Sequence, residues 1–166
     1  HHCNWKGGLR EERKAYVKPK WENSTSLAEK VVKYFESRKI SQETLVKFKL
    51  KYQKEWMPQQ NKEMDAILFP YFRDGECINI KYRDGSKGFK MHKDSELIFY
   101  NYDCIKDNED VYIVEGEIDA MTLHQCGFPN VISVPNGANL SSNNMQYIDN
   151  CYEQLSKVSA FHIATD

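Results

Sequence analysis

The chain has 166 residues, 40% hydrophobic and 28% charged, proportions of an ordinary folded domain that exclude disordered, collagenous and coiled-coil chains. No apolar run approaches the roughly 18 residues of a membrane-spanning helix, and the first twenty residues are too basic and polar for a secretory signal, so neither membrane nor export is expected. The net charge of -1 conceals a division: residues 1 to 60 carry 14 Lys+Arg against 7 Asp+Glu, whereas residues 61 to 166 carry 9 against 17. A basic front and an acidic back suggest a polyanionic partner for one half and a cation for the other. Five cysteines without a repeated spacing fit a reducing, cytoplasmic compartment rather than a disulfide framework.

Residues 1 to 25 are polar and interrupted by Gly7-Gly8 and Pro19, which reads as a linker with little structure. Ser26-x-x-Glu29 then forms a capping-box pattern ahead of a helix that places Leu27, Val31, Tyr34 and Phe35 on one face and ends near Arg38. Ser41 is expected to cap a shorter helix carrying Leu45, Val46 and Phe48. Residues 66 to 91 read as a three-stranded meander, AILFPYF, CINIKYR and GFKM, punctuated by Asp74-Gly75 and Asp84-Gly85; Pro70 marks its first strand as edge or bulged. LIFYN at 97 to 101 is a candidate further strand, and the acidic stretch from Asp107 to Asp110 marks a boundary.

From Val111 the rhythm changes to VYIV, a helix through Ile118, Met121, Thr122 and Gln125 closed by Gly127, VISV, a helix capped near Ser142 with Met145, Ile148, Tyr152 and Leu155 on one face, and VSAFHIA. This β-α-β-α-β order predicts a parallel sheet with right-handed crossovers. The sequence stops directly after the last strand, so the sheet is expected to be truncated, with further sequence downstream. Division at residues 25 and 110 gives a linker (1–25), a small α+β unit with basic strands (26–110) and the first part of an α/β unit (111–166).

In a parallel sheet the functional crevice lies at the carboxyl ends of the strands. Glu115 follows VYIV and Asp166 follows VSAFHIA, so if those strands are neighbours the two carboxylates converge. Residues 111 to 166 contain a single lysine, Lys157, which leaves the acids in need of a cation; hard oxygen donors favour Mg²⁺, with Mn²⁺ as its substitute. Gly116 allows a tight turn after Glu115. Glu117 and Asp119 are either further ligands or simply acids that favour a helix amino terminus. On the basic side, Lys81 and Arg83 are two apart on a strand and share a face, a pattern that serves phosphate binding or plain solvation equally well.

The string VYIVEGEIDAMTLHQCGFPNVISVPNGAN closely resembles the TOPRIM domain of DNA primases, above all the phage-type primase-helicase and Twinkle-like branch and more distantly the DnaG-type enzymes. The resemblance implies a Rossmann-like TOPRIM sheet preceded by a small α+β primase subdomain. It matches Glu115, Gly116 and Asp119 to the E-G-x-x-D motif, aligns Pro135-Asn136-Gly137-Ala138 with the turn after the second strand, and makes Asp166 the first acid of a D-x-D pair. By the same likeness Glu115, Asp119 and Asp166 are catalytic acids, Glu115, Glu117 and Asp166 are metal ligands, and Lys81, Arg83, Lys87 and Lys90 contact template and nucleotide phosphates. His-His-Cys-Asn-Trp-Lys-Gly at residues 1 to 7 looks like the end of a zinc ribbon whose Zn²⁺ would belong to a module upstream; His1 and His2 read equally well as a tag remnant, and Cys3 alone holds no zinc.

The implied function is primer synthesis from ribonucleoside triphosphates on single-stranded DNA, with a replicative helicase in cis or trans as part of a primosome and a location in the cytoplasm of a bacterium or a phage-infected host. The rival readings are a TOPRIM nuclease or topoisomerase that cleaves DNA, and a non-catalytic single-strand-binding module. No G-x-x-x-x-G-K-[ST], G-x-S-x-G or G-x-G-x-x-G occurs, which places any helicase motor outside this chain and removes hydrolase-elbow and dinucleotide readings. His92, His124 and His162 lack ligand spacing, and Cys126 and Cys151 read as small buried hydrophobes.

Overall fold

A computed structural model describes residues 15–136 and 145–164. The elements run α1 (Glu29–Ser37), α2 (Gln42–Lys47), β1 (Lys51–Met57), β2 (Lys62–Arg73), β3 (Glu76–Asp84), β4 (Phe89–Met91), a 3₁₀ turn (Tyr102–Cys104), β5 (Val111–Val114), α3 (Glu117–Gln125), β6 (Val131–Ser133), α4 (Gln146–Leu155) and β7 (Phe161–Ala164). The fold is mixed α/β, with an antiparallel sheet ordered β1-β2-β3-β4 and a parallel sheet ordered β6-β5-β7.

Both amino-terminal helices form where expected, by different means. Val31 and Phe35, one turn apart, are buried on α1, but the capping box does not form: Ala28 is the N-cap without a side-chain bond. Ser26 is drawn into a strand-like bridge with Lys51, where its carbonyl accepts the Tyr52 N–H at 2.9 Å. On α2, Ser41 does cap, its hydroxyl accepting the Thr44 N–H at 3.2 Å. Leu45 and Phe48 are buried, whereas Val46 points outward at 59% exposure, because one short turn presents one face inward. Ahead of α1, residues 15–25 lack helix or strand, yet they are not loose: Ser95 Oγ donates to the Val17 carbonyl, the Val17 N–H donates to Asp94, and Pro19 is buried.

The antiparallel sheet has four strands rather than three. β1, KYQKEWM, escapes sequence detection because Met57 is its one buried residue, leaving no apolar alternation to read. Pro70 sits in the interior of β2, an inner strand, opposite Ile80. It is tolerated because β1 reaches only as far as Leu68, so Pro70 has a neighbour on one side, and a bulge follows between Tyr71 and Phe72. Asp74 and Gly75, at φ 53° and 74°, make the tight turn to β3 that left-handed residues favour. The next turn is longer: Asp84 Oδ1 accepts the N–H groups of Ser86 and Gly88, each at 2.8 Å.

The expected strand at 97–101 is instead an extended buried segment. Ile98, Phe99 and Tyr100 are buried, and Tyr100 makes an isolated bridge to Ser133 at the end of β6. That segment lies within a continuous hydrophobic core shared by α1, α2, one side of the antiparallel sheet, and the parallel sheet with α3 and α4. A smaller core on the other side of the antiparallel sheet contains Met57, Leu68, Ile80 and Tyr82.

The parallel sheet follows the expected β-α-β-α-β order with β5 central. α3 ends at Gly127, whose φ of 96° suits glycine. On α4 Tyr147 and Cys151 are buried and Ile148 and Leu155 pack against the core, as expected for the last two, while Met145 and Tyr152 are exposed; the inward face is shifted toward Tyr147, which packs edge-on against Phe99 at 4.8 Å. Cys126 is likewise exposed rather than buried, since it closes α3 at the surface. Ser142, the turn residues Gly137 and Ala138, the zinc-ribbon-like stretch with His1, His2 and Cys3, and Asp166 lie outside the described residues.

Candidate functional site

β5 and β7 are hydrogen-bonded neighbours with Val114 opposite Ala164. The carboxyl ends of the two strands are therefore level, which was the condition for Glu115 and Asp166 to converge. Glu115 is exposed immediately beyond β5, and Asp119 is exposed on the first turn of α3. A Cβ on residue 116 would fall 2.9 Å from Asp119 Oδ2, so glycine there lets that carboxylate lie back across the strand-to-helix turn. Mg²⁺ is commonly held by one or two carboxylates together with water and substrate phosphate. Glu115 and Asp119 supply oxygen donors of that kind at the strand end. Among the described residues no group of three His, Cys, Asp or Glu side chains is placed to hold a metal without help.

Glu117 is placed differently. It is 2% exposed, and its Oε1 accepts the Tyr71 hydroxyl at 2.5 Å and the Lys81 ammonium at 2.8 Å. Lys81 also donates to the Pro135 carbonyl at 2.7 Å and lies 4.6 Å from the centre of the Phe89 ring. Burial, with the Glu117 charge adding to it, pushes the Tyr71 pKa well above its ordinary value, which keeps that hydroxyl a donor. Two residues singled out for opposite ligands, a cation and a phosphate, thus meet each other. The sequence signal for this was weak: Tyr71 follows a proline, and nothing in its spacing pairs it with an acid 46 positions away.

Strand register sorts the remaining basic residues, because cross-strand partners project from the same side of a sheet. Lys81 opposes Phe69 and Arg83 opposes Ile67, and Ile67 opposes Tyr52, so Lys81 and Arg83 do share the side that faces α1 and α3. Lys90 opposes Tyr82 and projects from the other side, where it pairs with Glu55 at 2.7 Å and lies over the Tyr82 ring. Lys87 sits in the turn between β3 and β4 at φ 67°.

Arg83 and Lys87 line a cavity of about 670 Å³ that opens between α1 and the sheet, together with Tyr34, Arg38, Tyr52 and Lys54. Neither Arg83 nor Lys87 makes an ion pair with a carboxylate among the described residues. Lys30, at the rim, is engaged by Asp65 at 2.5 Å, which raises its pKa to about 12. Ile118 of α3 also lines the cavity, so its wall includes the helix that begins just after Glu115. Arg38, Tyr34, Tyr52 and Lys54 were missed in the sequence because they come from two separate places, α1 with its C-cap residue and a strand with no apolar period. A cation at such a cavity wall binds phosphate, and an aromatic face beside it accepts a base by stacking.

No family model matches the chain. It is 33% identical over 151 residues to a Twinkle homologue, chloroplastic/mitochondrial, of Arabidopsis thaliana, covering 84% of this chain and 20% of that protein. It is 32% identical to a primase homologue of the same plant, covering 84% and 43%; the chain thus spans less than half of either relative. In fold it matches the primase fragment of the bacteriophage T7 primase-helicase with a TM-score of 0.62, 18% identity and coverage of 92% and 62%. T7 primase domains bound to an RNA/DNA hybrid and dTTP give 0.58, 23%, and coverage of 79% and 57%. The DnaG catalytic core gives 0.58, 14%, and 82% and 54%. With Glu115-Gly116-x-x-Asp119 at the end of the central parallel strand, the chain is similar in sequence to the Twinkle and primase homologues and in fold to the T7 and DnaG primase cores.

Proposed function

We propose that the protein containing this chain is a DNA primase that joins ribonucleotides on a single-stranded DNA template, and that residues 26–110 and 111–166 are its basic subdomain and the start of its TOPRIM domain. The observation that carries the reading is the placement of Glu115 at the carboxyl end of β5, level with the end of β7, on the strand that leads into α3, whose Ile118 lines the same cavity as Arg83 and Lys87. Glu115 and Asp166, with Asp119 beside the turn, would hold Mg²⁺ or Mn²⁺. When bound, such an ion polarises the phosphoryl group and stabilises charge that develops as pyrophosphate leaves. Arg83 and Lys87 hold phosphates by charge, and Tyr34 and Tyr52 offer faces on which bases stack. α3, which follows Glu115, also supplies Ile118 to the cavity wall, so in this reading a chain bound along the basic side would end near the acids.

The T7 primase domains matched in fold are described with an RNA/DNA hybrid and dTTP, which supports a template and a nucleotide as ligands here. We also place a replicative helicase, in cis or trans, among the partners, and Zn²⁺ in an upstream module rather than in this chain. Among the described residues no helix is long and apolar enough to cross a membrane. A cytoplasmic site in a bacterium or phage-infected host remains our reading, while the Twinkle homologue is named for chloroplast and mitochondrion.

The test is metal-dependent ribonucleotide primer synthesis on single-stranded DNA by the full-length protein and by its Glu115→Gln variant. Primers from the parent and none from the variant support the reading. Nicking of the DNA, or binding without synthesis that Glu115→Gln leaves intact, overturns it in favour of a cleaving enzyme or a binding module.

A further inference from the structure

The Tyr71, Glu117 and Lys81 cluster is a buried, hydrogen-bonded group that the proposed chemistry leaves without a task. Its members come from β2, α3 and β3, and its fourth contact, the Pro135 carbonyl, follows β6. One ammonium therefore ties the antiparallel sheet to two points of the parallel one. Glu117 lies two residues after Glu115 on the turn that opens α3, and Pro135 lies two residues past the end of β6. Two of the three donors of Lys81 are engaged by Glu117 and Pro135, its ammonium lies 4.6 Å from the centre of the Phe89 ring, and the residue is 7% exposed.

An apolar trio of the same volume could hold these elements together without the cost of desolvating two charges. What charge-assisted bonds add is direction, since each fixes a distance and an angle rather than an area. We infer that Glu117 and Lys81 are positioning residues, which fix the turn bearing Glu115 and the backbone after β6 against β3, the strand that carries Arg83. The acidic and basic sides of the site are thereby held at one spacing. Tyr71 locks the carboxylate of Glu117 in the orientation that faces Lys81. The consequence for catalysis rests on the primase reading; the geometric tie does not.

The test compares Glu117→Gln, Lys81→Met and the apolar pair Lys81→Met/Glu117→Leu in the full-length protein, by primer synthesis and by thermal unfolding. Each single variant is expected to lower kcat by roughly ten- to a hundred-fold, the scale of a small misplacement of reacting groups, with the KM for nucleotide unchanged. The apolar pair is expected to recover the unfolding midpoint but not kcat. Recovery of both together makes the cluster a matter of stability alone and overturns the inference. So does a raised nucleotide KM in Lys81→Met with normal kinetics in Glu117→Gln, which marks Lys81 as a direct ligand. If the parent makes no primers the primase reading fails, and amide hydrogen exchange decides the tie. Faster exchange at Gly116 and Asn136 in both single variants, with β1 and β2 unaffected, supports it; uniform or absent change overturns it.

Discussion

The two sheets place their charge in opposite ways. In the antiparallel sheet the cations are spread across a broad face and sorted by the pleat, so Arg83 reaches the cavity while Lys90, seven residues later, is turned to the other side and paired with Glu55. In the parallel sheet Glu115, Glu117 and Asp119 come together at the carboxyl end of the central strand, because the turn from β5 to α3 falls there. A spread face suits a long polyanion gripped at several phosphates; a point of acids suits a small cation. The Lys81 and Glu117 pair is where the two patterns touch, one charge taken from each.

Breaking that contact has the largest expected effect. Lys81→Met leaves the Glu117 carboxylate buried without its counter-ion, and should destabilise the fold by about 3–5 kcal/mol, read as a lowered midpoint in urea unfolding. Next comes a second seam: Gln125 at the end of α3 accepts from Ser41 N–H and Thr44 Oγ at 2.7 and 2.9 Å and donates to the Lys39 carbonyl at 2.7 Å. Gln125→Ala removes all three near the surface and should cost about 1–2 kcal/mol in the same measurement.

The pleat itself can be tested by salt. If the face with Arg83 meets the polyanion, Arg83→Ala should reduce the slope of log affinity against log salt by about 1 for single-stranded DNA. Lys90→Ala, on the far side, should leave that slope unchanged; equal effects of the two would erase the distinction between the faces. The smallest expected effect concerns His124, which packs edge-on against Phe48 of the α2 corner at 5.1 Å. Burial, with the Lys47 charge adding to it, lowers its pKa below the ordinary value of 6.5. Protonation is thus harder in the folded state, so stability is full above about pH 6.5 and declines as pH falls below it. Thermal unfolding between pH 7.5 and 5 should show this decline, and His124→Gln should flatten it.

Much of this was legible in the sequence where a local rule was strong. The E-G-x-x-D string announces the acid end, and strand-to-helix alternation alone predicts β5, β6 and β7 in parallel. Helix capping was legible at Ser41, which has no competitor, and misleading at Ser26, whose backbone is recruited by β1. The strand β1 was illegible because it buries so little, and the face of α4 was read only in part: Ile148 and Leu155 pack on the core as expected, but Tyr147 rather than Tyr152 turns inward, to meet Phe99. Spacing placed Lys81 and Arg83 on one face correctly. It could not show that one of them would be consumed by Glu117, since that depends on how two sheets meet rather than on either strand.

The most direct test of the account sets its two regions against each other in one assay: primer synthesis by the full-length protein, with Glu115→Gln and Arg83→Ala measured at increasing template. The account predicts that Glu115→Gln is inactive even at saturating template, while Arg83→Ala recovers most of its kcat once template is raised. Activity in Glu115→Gln comparable to the parent, at any template concentration, would contradict it.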